Sequence, residues 1–95
     1  MPRKNNHYWT LSIRTDSPLT PLVRIFLILR KFRVSLVRMK VVPRGKAQTE
    51  IIMKLDFALS TRTDTVFRKI ARLYDVIRVQ YAQGTTLGKK KIILK

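Results

Sequence analysis

The stretch that most constrains this chain runs from Thr49 to Leu59, where Thr49, Ile51, Met53, Leu55, Phe57 and Leu59 alternate with Glu50, Ile52, Lys54, Asp56 and Ala58. Successive side chains leave a strand on opposite sides, so this period of two marks a β-strand with one buried face and excludes an all-helical fold. Pro43-Arg44-Gly45-Lys46 supplies turn chemistry just before it. Upstream, Val34 to Val42 reads as a strand with Ser35, Val37, Met39 and Val41 on one face and Val34, Leu36, Arg38, Lys40 and Val42 on the other. The two strands form a hairpin.

The flanks supply the remaining elements. Trp9, Leu11 and Ile13 alternate with Tyr8, Thr10, Ser12 and Arg14, which predicts a first strand over residues 7–14. Thr15-Asp16-Ser17-Pro18 are turn formers, and Asp16 or Ser17 is placed to cap a helix over 19–31 whose first turn tolerates Pro18 or Pro21. A second helix opens near Ser60, with Thr61 and Asp64 at capping-box spacing and Val66, Phe67, Ile70 and Leu73 as its apolar stripe. Val76 to Tyr81 alternates again, with Ile77, Val79 and Tyr81 on one side.

Strand, helix, strand, strand, helix, strand, joined by right-handed crossovers, gives an α+β ferredoxin-like βαββαβ sandwich: one four-stranded antiparallel sheet with both helices on one face. The other sheet face has no cover of its own, which makes Val34, Leu36 and Ile52 candidates for contact with a partner. At 95 residues the chain is one domain. Residues 1–6 read as a basic arm, 7–82 as the domain, and 83–95 as a mobile Lys-rich tail with a short apolar patch, Ile92-Ile93-Leu94.

Twenty-one Lys and Arg against five Asp and Glu give a net charge of +16, an excess that attracts polyanions or an acidic partner. Arg3, Lys4, Lys89, Lys90, Lys91 and Lys95 lie at the two ends, and the body is basic without them. With no Cys and a single His, His7, the chain lacks the material for a disulfide, a thiolate metal site or a His-based acid–base pair. Asp16 and Asp64 are explained by helix starts and Asp75 by a helix end. Glu50 and Asp56 are about 20 Å apart along one strand, too far for a hydrolytic carboxylate pair. No catalytic residue, metal site or cofactor is therefore expected.

The N-terminal residues lack a following apolar segment, and Leu22 to Leu29 contains Arg24 and is too short to span a bilayer, so a cytoplasmic protein without a membrane partner is expected. RNA-recognition modules of this topology stack bases on aromatics of their central strands. Gln48 to Asp56 carries none, and Tyr8 with His7 is the sole suggestive material on the first strand. Base readout is disfavoured. A basic module that binds nucleic acid through charge remains the alternative reading.

Two features point to association and to a small ligand. Leu22, Val23, Ile25, Phe26, Leu27, Ile28 and Leu29 are interrupted only by Arg24, so the first helix is apolar around more of its circumference than packing on one sheet requires. The loop from Thr15 to Leu19 leads into a helix N-terminus, where unpaired N–H groups favour an anion such as an amino-acid carboxylate.

Leu11-Ser12-Ile13-Arg14 through Lys31-Phe32-Arg33-Val34, Glu50-Ile51-Ile52-Met53-Lys54-Leu55, and Arg68-Lys69-Ile70-Ala71-Arg72-Leu73-Tyr74-Asp75-Val76 resemble the ACT domain. Within that family they look most like the small regulatory subunits of acetolactate synthase. The resemblance spans roughly residues 8 to 82 and rests on spacing and hydrophobicity more than on invariant chemistry. It implies a non-catalytic, allosteric subunit without a cofactor of its own, belonging to branched-chain amino-acid synthesis. It also implies a homodimer or higher homo-oligomer paired through the first helix and second strand, with Leu22, Ile25, Phe26, Leu29 and Leu36 at the contact. The implied partner is a thiamine-diphosphate-dependent catalytic large subunit. By position, the implied amino-acid effector lies against Asp16, Ser17, Pro18 and Leu19, with Val34 and Ser35 nearby. Pro18 and Leu19 stand where the family's loop has a Gly, which narrows that pocket.

Overall fold

The structure, a computed structural model, describes residues 7–16, 19–45, 47–60, 62–84 and 92–94, with side chains left out for 19, 20 and 92–94. In chain order the elements are β1 (Tyr8–Thr15), α1 (Leu19–Lys31), β2 (Ser35–Arg44), β3 (Gln48–Asp56), α2 (Thr63–Ala71), β4 (Val76–Gln83) and β5 (Ile92–Leu94). The sheet order is β2-β3-β1-β4-β5, and every neighbouring pair is antiparallel. The βαββαβ sandwich expected from the sequence is therefore present. β5 adds a fifth strand, pairing Leu94, Ile93 and Ile92 with Val79, Gln80 and Tyr81. The expectation of a mobile tail fails for these three residues, because the outer edge of β4 offers unpaired backbone groups that a short strand satisfies.

β1 is central and carries the core. Leu11, Ile13, Ile51, Met53, Leu55, Val79 and Tyr81 of the sheet pack against Ile25 and Leu29 of α1 and Val66, Phe67 and Ile70 of α2. Phe67 gathers the aromatics, with ring centroids of Tyr81, Trp9 and Phe57 at 4.1, 5.4 and 5.5 Å. Trp9 is thus a core anchor. The fully buried Thr15 donates its hydroxyl to the Asp75 carbonyl at 2.7 Å, which ties the end of β1 to the turn before β4.

Two extra residues reset the alternation. Leu36 lies opposite Leu55 and Arg38 opposite Lys54, so Val37 is bulged out of the β2 ladder. Leu36 consequently shares the helix-side face with Met39 and Val41, which oppose Met53 and Ile51. The sequence had put Leu36 on the opposite face with Arg38. On β4, Arg78 opposes Arg14 and Val76 opposes Thr15, leaving Ile77 as the extra residue. Val76 is buried and Ile77 exposed, which reverses the expected placement of Ile77 beside Val79 and Tyr81.

Helix ends differ from expectation as well. Arg33 adopts a left-handed φ of 58°. Its N–H reaches the Arg30 carbonyl at 3.2 Å, and the Val34 N–H reaches that of Leu29 at 2.9 Å. This is a Schellman motif, and its usual apolar clasp is Val34 against Leu29, both in the core. Val34 is therefore not available to the open sheet face. α2 starts from Arg62, which makes no side-chain cap bond, and Thr61 lies outside the described residues. Asp64 instead sits in the first turn, where its charge complements the helix dipole.

Candidate functional site

The angular positions on α1 separate its surfaces. Pro21, Ile25 and Leu29 fall on one line, spaced four apart, and are buried. Arg24 shares a cavity of about 280 Å³ with Pro21, Leu73, Tyr74 and Asp75, so its flank of the helix is turned toward the end of α2. Phe26 lies on the opposite flank, turned away from α2 and toward the β2 side of the sheet, while Val23 and Leu27, about 160° around the helix from Ile25, face away from the sheet.

Leu36, Met39 and Val41 face the same layer from β2. These six apolar side chains are between 38 and 60 % exposed, far more than packing against their own sheet would leave them. β2 is the outermost strand, so its free side has no strand neighbour among the described residues. The edge is ten residues long and apolar on its helix side, which offers a second polypeptide both backbone groups and an apolar surface, although Arg38, Lys40, Pro43 and the Val37 bulge limit how it can pair.

Of the residues that the sequence nominated for a subunit contact, Phe26 and Leu36 lie exposed in this strip and Leu22 is half-buried beside it. Ile25 and Leu29 face the protomer's own core. Val23 and Leu27 were named only within the apolar run of the first helix, and Met39 and Val41 not as contact residues at all. The first two could have been found by placing α1 on a helical wheel, whereas the last two depend on the Val37 bulge.

The nominated effector residues are dispersed. Asp16 is exposed just beyond β1, Ser17 and Pro18 lie outside the described residues, and Leu19 opens α1. Val34 is in the core, while Ser35 is exposed opposite Asp56 at the start of β2. The side chains of Val34 and Ser35 do not meet.

The sheet face away from the helices is polar and basic. Its register places Arg38, Lys40 and Arg44 on β2, Lys54 on β3, Arg14 on β1 and Arg78 on β4, around Thr10, Ser12, Ala82 and the apolar Ile52 and Val42, with Asp56 at the end of β3; of the residues nominated for this face, Ile52 alone lies on it. Glu50 accepts hydrogen bonds from the Ser12 hydroxyl and from Arg44 Nε, the latter at 2.7 Å. Burial pushes the Glu50 carboxyl up, but those two bonds and the charges of Arg44 and Arg14 outweigh it and hold the group below its ordinary range. Arg14 donates to Gln48 Oε1 at 3.3 Å, and the Lys54 ammonium stands 4.4 Å from the Tyr8 ring centroid. Among the described residues no group of three or more His, Cys, Asp or Glu could hold a metal ion, and no helix is long and apolar enough to cross a membrane.

No family model matches the chain, and no curated protein does. Solved structures do. The C-terminal domain of the MgtC protein from Mycobacterium tuberculosis aligns over 95 % of this chain and 100 % of that one, with a TM-score of 0.77 at 10 % identity. A homoserine dehydrogenase from Thiobacillus denitrificans aligns over 93 % of this chain with a TM-score of 0.62 at 22 % identity, and the matched part is 17 % of that chain. At such identities the likeness concerns the fold alone, a ferredoxin-like βαββαβ sandwich.

Proposed function

We propose that the protein is a non-catalytic, ACT-type regulatory module that works by pairing with a second copy along α1 and β2 and by docking onto a larger enzyme subunit. The observation that carries this reading is the exposed apolar surface of Phe26 on α1 with Leu36, Met39 and Val41 on the unpaired edge strand, continued by Val23 and Leu27 on the outer side of α1. Exposed apolar surface of this extent is favourable to bury at roughly 25 cal/mol per Å² removed from water, and a second copy presents the same strip. The enzyme we propose is the thiamine-diphosphate-dependent acetolactate synthase of branched-chain amino-acid synthesis, in the cytoplasm. That step rests on the sequence resemblance, and the fold agrees with a regulatory role.

An amino-acid effector belongs to the same reading, seated between the start of α1 and the partner copy. It acts only insofar as it binds one subunit arrangement better than the other.

Sedimentation velocity tests the pairing. The wild type is expected to sediment as a dimer and Phe26→Asp as a monomer, and unchanged self-association in the variant would reject the strip as an interface. Co-purification of the untagged protein from its own cell extract should bring down a large enzyme subunit. Calorimetry with valine should show weak heat or none, since Pro18 and Leu19 stand in the sequence where the resembled family's loop has a Gly; tight binding would overturn that expectation.

A further inference from the structure

The regulatory reading leaves the charge of the domain unused. On the open sheet face Arg38 lies directly opposite Lys54, and Arg14 directly opposite Arg78. Like charges facing each other across neighbouring strands destabilise a sheet. Glu50 offsets part of this, but its carboxylate bonds Arg44 and Ser12, and the hydrogen bond of Arg14 goes to the neutral Gln48. Arg14 Nε has no acceptor among the described residues. Lys40 is exposed two positions from Arg38, about 7 Å along the strand. Ile52 and Val42 lie among these groups, and Asp56 is a second carboxylate at the end of the face, so five cations of the open face stand against two acids even before Arg44 is counted. The face holds Tyr8, already engaged by Lys54, as its aromatic group on β1, and β3 contributes none.

We propose that this face binds the phosphodiester backbone of nucleic acid without reading bases, with Arg14, Arg38, Lys40, Lys54 and Arg78 as the phosphate contacts. Such contacts fix position and carry no sequence information, which suits a surface with cations and hydroxyls but no free stacking platform. Where two copies pair through β2, as proposed above, Arg38 and Lys40 of each copy flank the join, and the two faces merge into one basic floor. This extension rests on the pairing; the single face does not.

The test uses the full chain and a fluorescently labelled oligothymidylate, followed by anisotropy as salt is varied. Binding is expected, with log K falling linearly in log salt by about 0.7 per phosphate neutralised. Arg38→Glu with Lys40→Glu, and separately Lys54→Glu with Arg78→Glu away from the edge, should each weaken binding by about tenfold or more and flatten that slope. Arg68→Glu with Lys69→Glu makes the same charge change on α2 and should cost much less. Equal loss in the α2 variant, full binding in both sheet variants, no binding by the wild type, or binding to phosphatidylserine vesicles in place of the oligonucleotide would each overturn the proposal. Sedimentation of the same samples separates the two readings. A dimer that ignores the oligonucleotide removes the nucleic-acid face alone, while a monomer whose sheet variants lose binding removes the pairing alone.

Discussion

Arg33 holds a backbone conformation that costs an L-residue about 1 to 2 kcal/mol, because its Cβ crowds the carbonyl oxygen. It stays there because the Schellman bonds of Arg33 and Val34 close α1 and press Val34 onto Leu29. Glycine meets no such crowding, so Arg33→Gly should stabilise the fold by about 0.5 to 1 kcal/mol, less than the full strain because glycine gains freedom when unfolded. A urea midpoint no higher than that of the wild type would contradict this. Glu50 gives a second expectation at this scale. Its carboxyl is held below its unfolded value, so its contribution to stability is present above the ordinary glutamate range and lost as pH falls through the depressed value. Glu50→Gln should therefore be less stable than wild type near neutral pH, with the gap closing in acid; urea titrations across that range would show a constant gap if Glu50 is not the cause.

At the level of elements, the sequence was legible wherever one period governed a whole segment. The alternation from Thr49 onward defined β3, and the helical spacing of Val66, Phe67 and Ile70 defined the buried side of α2. It was illegible where one inserted residue reversed parity, since Val37 and Ile77 are apolar and look like any other strand residue. The helix-one contact was half readable for a related reason. An apolar run read residue by residue names too many candidates, whereas its angular positions separate Ile25 and Leu29, which turn inward, from Val23 and Leu27, which remain outside. β5 was unreadable because three apolar residues beyond a lysine run acquire a strand's identity only from the edge they meet. Proline cannot join such a ladder without losing its N–H. Ile93→Pro should release β5, and amide exchange at Val79 and Tyr81, whose N–H groups point toward β5, should quicken while that of Gln80, β1 and β3 is little changed. Equal protection in both proteins would show that β5 does not hold that edge.

For the molecule as a whole, a net charge of +16 on 95 residues means that folding compresses like charges. Raising sodium chloride from about 0.1 to 1 M shortens the screening length from about 10 to 3 Å, so the urea midpoint should climb over that range. Binding to the oligonucleotide should fall over the same range, and the two opposite trends in one protein separate intramolecular repulsion from attraction to a partner. A flat or falling midpoint would mean that the charges are already compensated within the fold. The overall architecture was readable because element order and crossover handedness leave few topologies open. The site was not, since what remains exposed is a remainder that only packing determines.

β5 has a further consequence for assembly. A bare sheet has two borders and could add copies at both, growing without limit into a fibre. Here the second border is β5, three residues long against the ten of β2, so it offers few backbone groups to a further strand. An isologous join through β2 consumes the long border in both molecules and leaves only the short one on either side, which gives continued growth little to build on.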